Sequence, residues 1–359
     1  MLSRRVRHEP WVIGGRPVVA ILAVALCGVA APLFAQTASP PVSVGAGLQT
    51  SFLHDAPDGG ESSDRFLLNS VRLYVNGSSA DKVKFTFNTE YDGGTNHLTV
   101  LDAVARFEVS DRFNVWVGRM LPPSDRANLY GPYYANEWAV YSDGLQDGYP
   151  FVATGRDNGV AYWGQFGPVK VQGGAYDGAS ADGNDKVIAA GRVMVDFWDP
   201  EPGYYLNGTY YGDKNILAVG AAGQVQDGNT AWSADLLLER KVAGGGAFTI
   251  ESEYAAYSQL GGYDAQYEDD KGAYGLASYL FPKMGGLSGQ FEVLGKYAQA
   301  SFSHSIAGLD DYKQRTTELN FDYVLKQFNA RVMLFYKHTD FTAVKTDDQQ
   351  IGVGLQVQM

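Results

Sequence analysis

The chain has 359 residues, with 28 Lys and Arg against 40 Asp and Glu, which gives a formal net charge of −12. An acidic chain is a poor ligand for nucleic acid overall, so we expect no nucleic-acid partner. The single cysteine excludes a disulfide framework and a metal site built from cysteines.

The first 35 residues have the features of an export signal. A basic region that includes Arg4, Arg5 and Arg7 comes first, and an apolar run from residue 18 to residue 31 follows it. This run is shorter than the ~20 residues that a transmembrane helix needs. We therefore expect residues 1–35 to be a cleaved signal peptide, which contains Cys27, and residues 36–359 to form one domain.

From residue 42 to the last residue, apolar and polar side chains alternate with a period of two. In the stretch SVRLYVN, for example, Val71, Leu73 and Val75 alternate with polar neighbours. Each such segment is a strand with one apolar and one polar face. The pattern predicts sixteen strands, near 42–53, 65–76, 82–92, 97–109, 113–120, 156–166, 169–177, 186–198, 215–226, 231–241, 246–257, 272–281, 287–299, 314–325, 328–338 and 349–359.

The connections between these strands alternate in length. The short turns lie around 77–81, 110–112, 167–168, 242–245, 282–286 and 326–327. The longer loops, rich in Asp and Gly, lie around 54–64, 121–155, 258–271, 300–313 and 339–348. Segment 199–214 breaks this rule, because it stands where a short turn is expected yet is long and rich in tyrosine.

The apolar faces could pack in a soluble all-β protein or face lipid. An even strand number, alternating short and long connections, and aromatic residues near the strand ends are typical of a transmembrane barrel. The predicted fold class is therefore an all-β, antiparallel transmembrane β-barrel of about 16 strands. The aromatic residues predicted to lie near the membrane surfaces are Phe52, Tyr91, Phe113, Phe197, Trp198, Trp232, Tyr254, Tyr279, Phe281, Phe321, Tyr323, Phe328 and Tyr336.

Several short motifs occur in the order found in one porin family. They include VRLYVNGSSADKVKFTFNTEYD, LDAVARFEVSDRFNVWVGRMLPPSD, GRDNGVAYWGQFGPVKVQGGAYDG and ADLLLERKVAGGGAFTIESEYAAY. With these motifs the chain resembles the phosphate-selective porins O and P over residues 42–359. The resemblance implies a bacterial outer-membrane location, a sixteen-stranded homotrimeric channel and a third outer loop that folds into the pore. We identify no counterpart of the lysine cluster on which the phosphate-binding members rely.

Strand parity and loop position together predict which basic residues line the pore. Parity places Arg72, Lys84, Arg106 and Arg331 inside, among lumenal carboxylates. The ends of segment 121–155 add the remaining three members of the set, Arg119, Arg126 and Arg156. Charges that line a pore set its ion preference. Any one of these residues could instead brace the barrel wall through an ion pair.

Segment 121–155 is too long for a simple hairpin connection, and loops of this length are often functional. Folded inward, this constriction loop would narrow the pore to an eyelet. The alternative is an outward lid that packs on other loops. The aromatic residues that would give the loop its bulk are Tyr130, Tyr133, Tyr134, Trp138 and Tyr141.

These features predict a porin, which is a passive diffusion channel for small hydrophilic ions that include anions and oxyanions such as phosphate. Its partners would be outer-membrane lipid and small inorganic ions. The alternatives are a closed structural barrel and an outer-membrane barrel enzyme. Glu251 and Glu253 on one strand are the carboxylate pair that an enzyme could use, but no nucleophile or histidine lies near them in the sequence. We therefore expect no catalytic residue, no metal and no cofactor.

Overall fold

The computed structural model describes residues 41–145, 155–178, 186–262, 269–303, 310–342 and 346–359. The predicted signal peptide, residues 1–35, lies outside the described residues, and so does the part of the constriction loop from 146 to 154. Among the residues described, no helix is long and apolar enough to cross a membrane.

Almost all of the described chain is β-strand, and the predicted fold class is confirmed. A short helix, α1 (Arg126–Tyr130), lies in the connection between the fifth and sixth strands. The strands are β1 (Val42–Pro57), β2 (Ser63–Ala80), β3 (Val83–Asp92), β4 (His97–Ser110), β5 (Phe113–Met120), β6 (Asp157–Phe166), β7 (Val169–Tyr176), β8 (Ile188–Asp196), β9 (Ile216–Gln226), β10 (Asn229–Val242), β11 (Gly246–Ser258), β12 (Asp269–Leu280), β13 (Gln290–Ser303), β14 (Tyr312–Lys326), β15 (Ala330–Phe341) and β16 (Asp348–Gln358).

The sixteen strands form one closed antiparallel barrel in which each strand pairs with its neighbours in sequence. The ring closes between β1 and β16, where Gly47 lies opposite Gln358 and Pro57 lies opposite Asp348. Closure gives each of these sixteen strands two partners, so none of the strands in the described part of the chain presents an unpaired edge. Backbone polar groups in hydrocarbon must be satisfied within the protein, and a closed barrel meets that requirement.

The outer face of the barrel is apolar. On β16 the outward side chains Ile351 and Val353 are 49 % and 44 % exposed, whereas the inward Gln356 is fully buried. On β2, Leu73 is 41 % exposed beside Arg72, which is 7 % exposed on the opposite face. An apolar band around a closed barrel with a polar interior is the pattern of a barrel that lipid surrounds.

The connections place the two ends of the barrel. Connections from an even-numbered strand to the next odd-numbered one lie at one end, here called the turn side. The other connections and loops lie at the opposite end, here called the loop side. The predicted surface position of Phe328 is wrong: its ring is buried, in contact with Tyr211 and Tyr134. Its position just before β15 gave no sign of this, because both partners belong to connections that fold inward.

Candidate functional site: the barrel lumen

The constriction loop lies inside the barrel and contacts distant parts of the wall. The Tyr130 hydroxyl donates to Glu251 on β11 over 2.9 Å, and the Tyr133 hydroxyl donates to the Ser70 hydroxyl on β2 over 3.1 Å. Farther along, the backbone N–H of Ala139 donates to Glu318 on β14. Contacts to β2, β11 and β14 require the loop to cross the lumen. The loop is therefore folded inward and is not an outward lid.

Two aromatic side chains of the loop fit against glycines of the wall. A Cβ added to Gly47 would lie 2.6 Å from the Tyr133 ring, and one added to Gly354 would lie 2.6 Å from the Trp138 ring. Real Cβ atoms do not approach other atoms so closely, so a larger residue at either position would displace the loop. Trp138 also stacks on Phe335, with 5.9 Å between ring centroids. Tyr133 and Trp138 therefore anchor the loop to the wall.

Arg126 is the centre of a buried charge network. Its side chain is completely buried, and its guanidinium donates to both carboxylate oxygens of Glu201, over 3.0 and 2.5 Å. It also approaches Asp235 on β10 at 3.3 Å, and Arg192 on β8 donates to the same carboxylate over 2.6 Å. Burial opposes the charge on Glu201, but Arg126, together with Lys170 and the Tyr210 hydroxyl, holds the pKa of that carboxyl below its ordinary value.

Glu201 belongs to a second segment that folds inward, residues 197–215, here called the turn-side segment. It connects β8 to β9 and so enters the lumen from the end opposite to the constriction loop. The two segments meet through backbone hydrogen bonds, from Gly208 N–H to the Tyr134 carbonyl over 2.9 Å and from Leu206 N–H to the Leu129 carbonyl over 3.4 Å.

The turn-side segment is also bonded to the wall. Glu239 on β10 accepts hydrogen bonds from the backbone N–H groups of Tyr210 and Gly212, over 2.6 and 2.7 Å. Lys170 on β7 donates to the Glu201 carbonyl over 2.5 Å. The sequence indicated this segment by its unexpected length and its tyrosines, but not its position inside the barrel.

A cavity of 550 Å³ lies between the inward segments and the β1–β4 side of the wall. Its wall side is basic and polar, with Arg72, Tyr74, Asn88, Asp102 and Arg106 from β2, β3 and β4, and Arg156 just before β6. Its other side is aromatic and aliphatic, with Leu129, Tyr130, Tyr134, Tyr205, Leu206 and Tyr210 from the two inward segments.

The basic residues of this region have acidic neighbours. Arg72 pairs with Glu90 at 2.8 Å, and Arg156 pairs with Asp102 at 3.1 Å. Glu108 lies 2.6 Å from Lys84 but 3.6 Å from Arg106, which is outside hydrogen-bond distance. Arg106 therefore has the weakest acidic contact of the three cavity arginines.

Four residues of the predicted pore-lining set do not line the cavity: Lys84, which pairs with Glu108, and Arg119, Arg126 and Arg331. Arg119 lies on the outer face of β5, where it is opposite Ala103 on β4 and Asn158 on β6. It points outward because it lies two residues after the outward Val117, whereas Trp116 points inward. Arg126 is enclosed by the two inward segments and the wall. Arg331 is buried and donates to the Ala135 carbonyl over 2.8 Å, so it holds the constriction loop and does not face the cavity.

The loop aromatics divide into anchors and cavity residues. Tyr133 lies beneath Arg72, whose guanidinium is 4.6 Å from the ring centroid. The Tyr141 hydroxyl donates to the Ala127 carbonyl over 3.4 Å, a contact within the loop itself. Tyr130 and Tyr134 border the cavity, and Tyr134 is 37 % exposed.

The carboxylate pair that an enzyme could use is occupied by structural contacts. Glu251 accepts hydrogen bonds from the hydroxyls of Tyr130 and Tyr274 over 2.9 and 2.6 Å. Glu253 accepts one from the backbone N–H of Arg126 over 3.1 Å. Among the described residues, no cluster of three or more His, Cys, Asp or Glu could hold a metal ion.

Comparison with solved structures places the architecture among outer-membrane proteins. The anion-selective porin from Comamonas acidovorans superimposes with a TM-score of 0.57 at 15 % identity, over 89 % of this chain and 100 % of that one. The trimer form of OmpT, an outer membrane protein of Vibrio cholerae, gives 0.55 at 12 % identity, over 89 % and 99 %. The fold is that of an outer-membrane β-barrel.

A third structure, OprB from Pseudomonas putida, gives a TM-score of 0.59 at 8 % identity, over 89 % of this chain and 94 % of that one. No family model matches the sequence. No curated protein matches it either. The resemblance to the phosphate-selective porins thus has no support beyond the motifs, whereas the barrel architecture is shared with several outer-membrane proteins.

Proposed function

We propose that the protein is an outer-membrane porin, a channel through which small hydrophilic ions diffuse passively. The observation that carries the proposal is the cavity inside the closed barrel, with Arg72, Arg106 and Arg156 on its wall side. Charged groups in a lumen of this kind need water around them, because an apolar core would not hold them at acceptable cost. Conduction requires neither a cofactor nor a covalent intermediate.

The proposed ion preference is for anions, and it is modest. Three arginines border the cavity, but Glu90, Asp102 and Glu108 lie close to them and reduce the positive field. Free solution screens charge within about 8–10 Å, whereas a narrow lumen screens it less, so this local balance outweighs the net charge of −12. Phosphate and other oxyanions belong to the solutes that such a channel would pass.

We also propose a homotrimer. The trimer form of OmpT has the same architecture. Phe66 on β2 and Leu98 on β4 are 87 % and 72 % exposed, which makes them the natural centre of a contact between copies. Chemical cross-linking of the protein in mild detergent should yield a three-chain product that Phe66→Glu weakens. A cross-linking pattern of single chains alone would contradict the trimer.

A closed structural barrel is the second candidate, because the two inward segments bond to each other across the lumen. An enzyme has less support, since Glu251 and Glu253 are engaged with tyrosine hydroxyls and a backbone N–H.

Planar-bilayer recording tests the channel proposal. Purified, refolded protein should add conductance in discrete steps that are uniform in size. A barrel that inserts, as shown by protease resistance and heat-modifiable mobility, yet leaves the bilayer without steps would contradict the channel and favour the closed barrel.

A further inference from the structure

The cavity has two chemically different sides, and this difference bears on the solute. The wall side presents guanidinium groups on β2 and β4, while the inward segments present tyrosine rings and the side chains of Leu129 and Leu206. A hydrated inorganic anion uses only the basic side. A volume of 550 Å³ falls within the roughly 300–1,000 Å³ of small-molecule sites, which are mostly apolar with a few polar groups that fix orientation.

Arg106 is the group best placed to receive an anion. Its Nε atom is buried without a hydrogen-bond partner, and Glu108 lies beyond hydrogen-bond distance. Buried polar groups are normally satisfied, so unpaired ones beside a cavity indicate where a ligand or water would bond.

The facing tyrosines stay neutral. Burial raises the pKa of Tyr205 well above its ordinary value, and the nearby Asp102 acts in the same direction. Burial likewise raises the pKa of Tyr210, with Glu201 as the next cause. Neutral phenol rings do not repel an anion, and their faces and edges pack against another ring.

We infer that this cavity binds small organic anions that combine a carboxylate with an apolar ring, the carboxylate at Arg106 and the ring between Tyr134, Leu129 and Leu206. The inference rests on the proposed channel function and narrows it to a class of solute. Acetate shares the carboxylate and phosphate shares the charge, but neither offers carbon surface to the aromatic side. The site should therefore favour benzoate over both.

The test uses benzoate, acetate and phosphate as probes of the refolded full-length barrel. Equilibrium binding is read from tryptophan fluorescence in detergent, because the Arg106 guanidinium lies 5.5 Å from the centroid of the Trp116 ring. Inhibition of chloride current by each probe is measured separately in planar bilayers. We expect benzoate to act at a concentration at least about tenfold below that of acetate or phosphate in both assays, since a ring buried on one side readily contributes that factor.

Three variants localise the site. Arg106→Gln should weaken benzoate and acetate alike, by about tenfold, because both lose a charge-assisted hydrogen bond. Tyr134→Ser should weaken benzoate but leave acetate unchanged. Arg119→Gln is the matched control, since Arg119 lies on the outer face one strand away, and it should change neither.

The outcomes separate this inference from the channel proposal. Equal action of benzoate and acetate, or strongest action of phosphate, in a conducting protein would overturn the inference and leave the channel intact. Benzoate binding in detergent without any bilayer conductance would support the site and overturn the channel. An equal loss in Arg106→Gln and Arg119→Gln would show a general charge effect and overturn the assigned site.

Discussion

Replacing Glu201 by Gln should release the turn-side segment from the constriction loop. Glu201 holds the completely buried Arg126 through two hydrogen bonds, over 3.0 and 2.5 Å. Gln keeps the size of the side chain but removes the charge and one of the two acceptors. Arg126 would then retain Asp235 at 3.3 Å as its remaining acidic contact of short range.

The structure sets the size of the effect. Removing one partner of a buried ion pair costs about 3–5 kcal/mol, because the other charge is left without compensation. Asp235 still compensates Arg126 in part, so we expect the lower limit, about 3 kcal/mol, which is roughly a hundredfold in a local equilibrium. The strands keep their own hydrogen bonds, so the loss should fall on the contact between the two inward segments rather than on the barrel.

Limited proteolysis and single-channel recording measure this release. In Glu201→Gln we expect faster cleavage within residues 197–215, larger conductance and more current noise, with the barrel still resistant. The matched control is Lys186→Ala, which removes an exposed ion pair to Asp227, and such pairs contribute about 0–1 kcal/mol. Wild-type cleavage rates and conductance in Glu201→Gln would refute the role given to the Arg126–Glu201 pair.

The arrangement of the wall and the lumen also determines the effects of a strand substitution, a loop deletion and a change of pH. Phe85→Arg, on the outer face, should destabilise the folded barrel by about 2–4 kcal/mol, whereas Thr86→Arg, on the cavity side, should not. Denaturant titrations of the protein in vesicles measure this difference. Equal stability of the two variants would contradict the assigned face of β3. Deleting residues 132–141 should enlarge single-channel conductance, because this part of the loop crosses the lumen, and unchanged conductance would place the open passage elsewhere. The pKa of Glu201 lies below its ordinary value of 4.5, so its contribution is complete above that pH and is lost as the pH falls through the lower folded value. Cleavage within residues 197–215 should therefore speed up in the wild type as the pH falls below 4.5. The same rise in Glu201→Gln would contradict the pairing.

The barrel could be predicted from the sequence because lipid on one side and water on the other impose a period of two on every strand. β16 shows the pattern plainly, with Ile351, Val353, Leu355 and Val357 outward and polar or glycine residues between them. The same rule predicts that Arg119 points outward, because it alternates in step with Val115 and Val117. Assigning Arg119 by its closeness to the constriction loop, rather than by parity, produced the error.

The interior could not be predicted in the same way. Arg126 and Glu201 are 75 residues apart, and neither lies in a strand whose parity fixes its direction. Their pairing exists only because two connections enter the barrel from opposite ends. Strand parity gives the face on which a residue lies but not its partner. Parity places Arg331 inside correctly, but the path of the constriction loop determines that it donates to the Ala135 carbonyl and not to a solute.

The zero-current potential across a bilayer that contains the protein, under a gradient of KCl, shows whether the arginine-lined cavity conducts and selects ions. We predict stepwise conductance with a potential of the sign set by chloride diffusion. In the double variant Arg106→Gln and Arg156→Gln the potential should shift toward the potassium side, because Asp102 then loses its basic partner and Glu108 keeps only Lys84. A wild-type potential on the potassium side would contradict the assignment of the arginine-lined cavity as the conducting, selective part of the barrel. The same potential in the wild type and the double variant would contradict it as well.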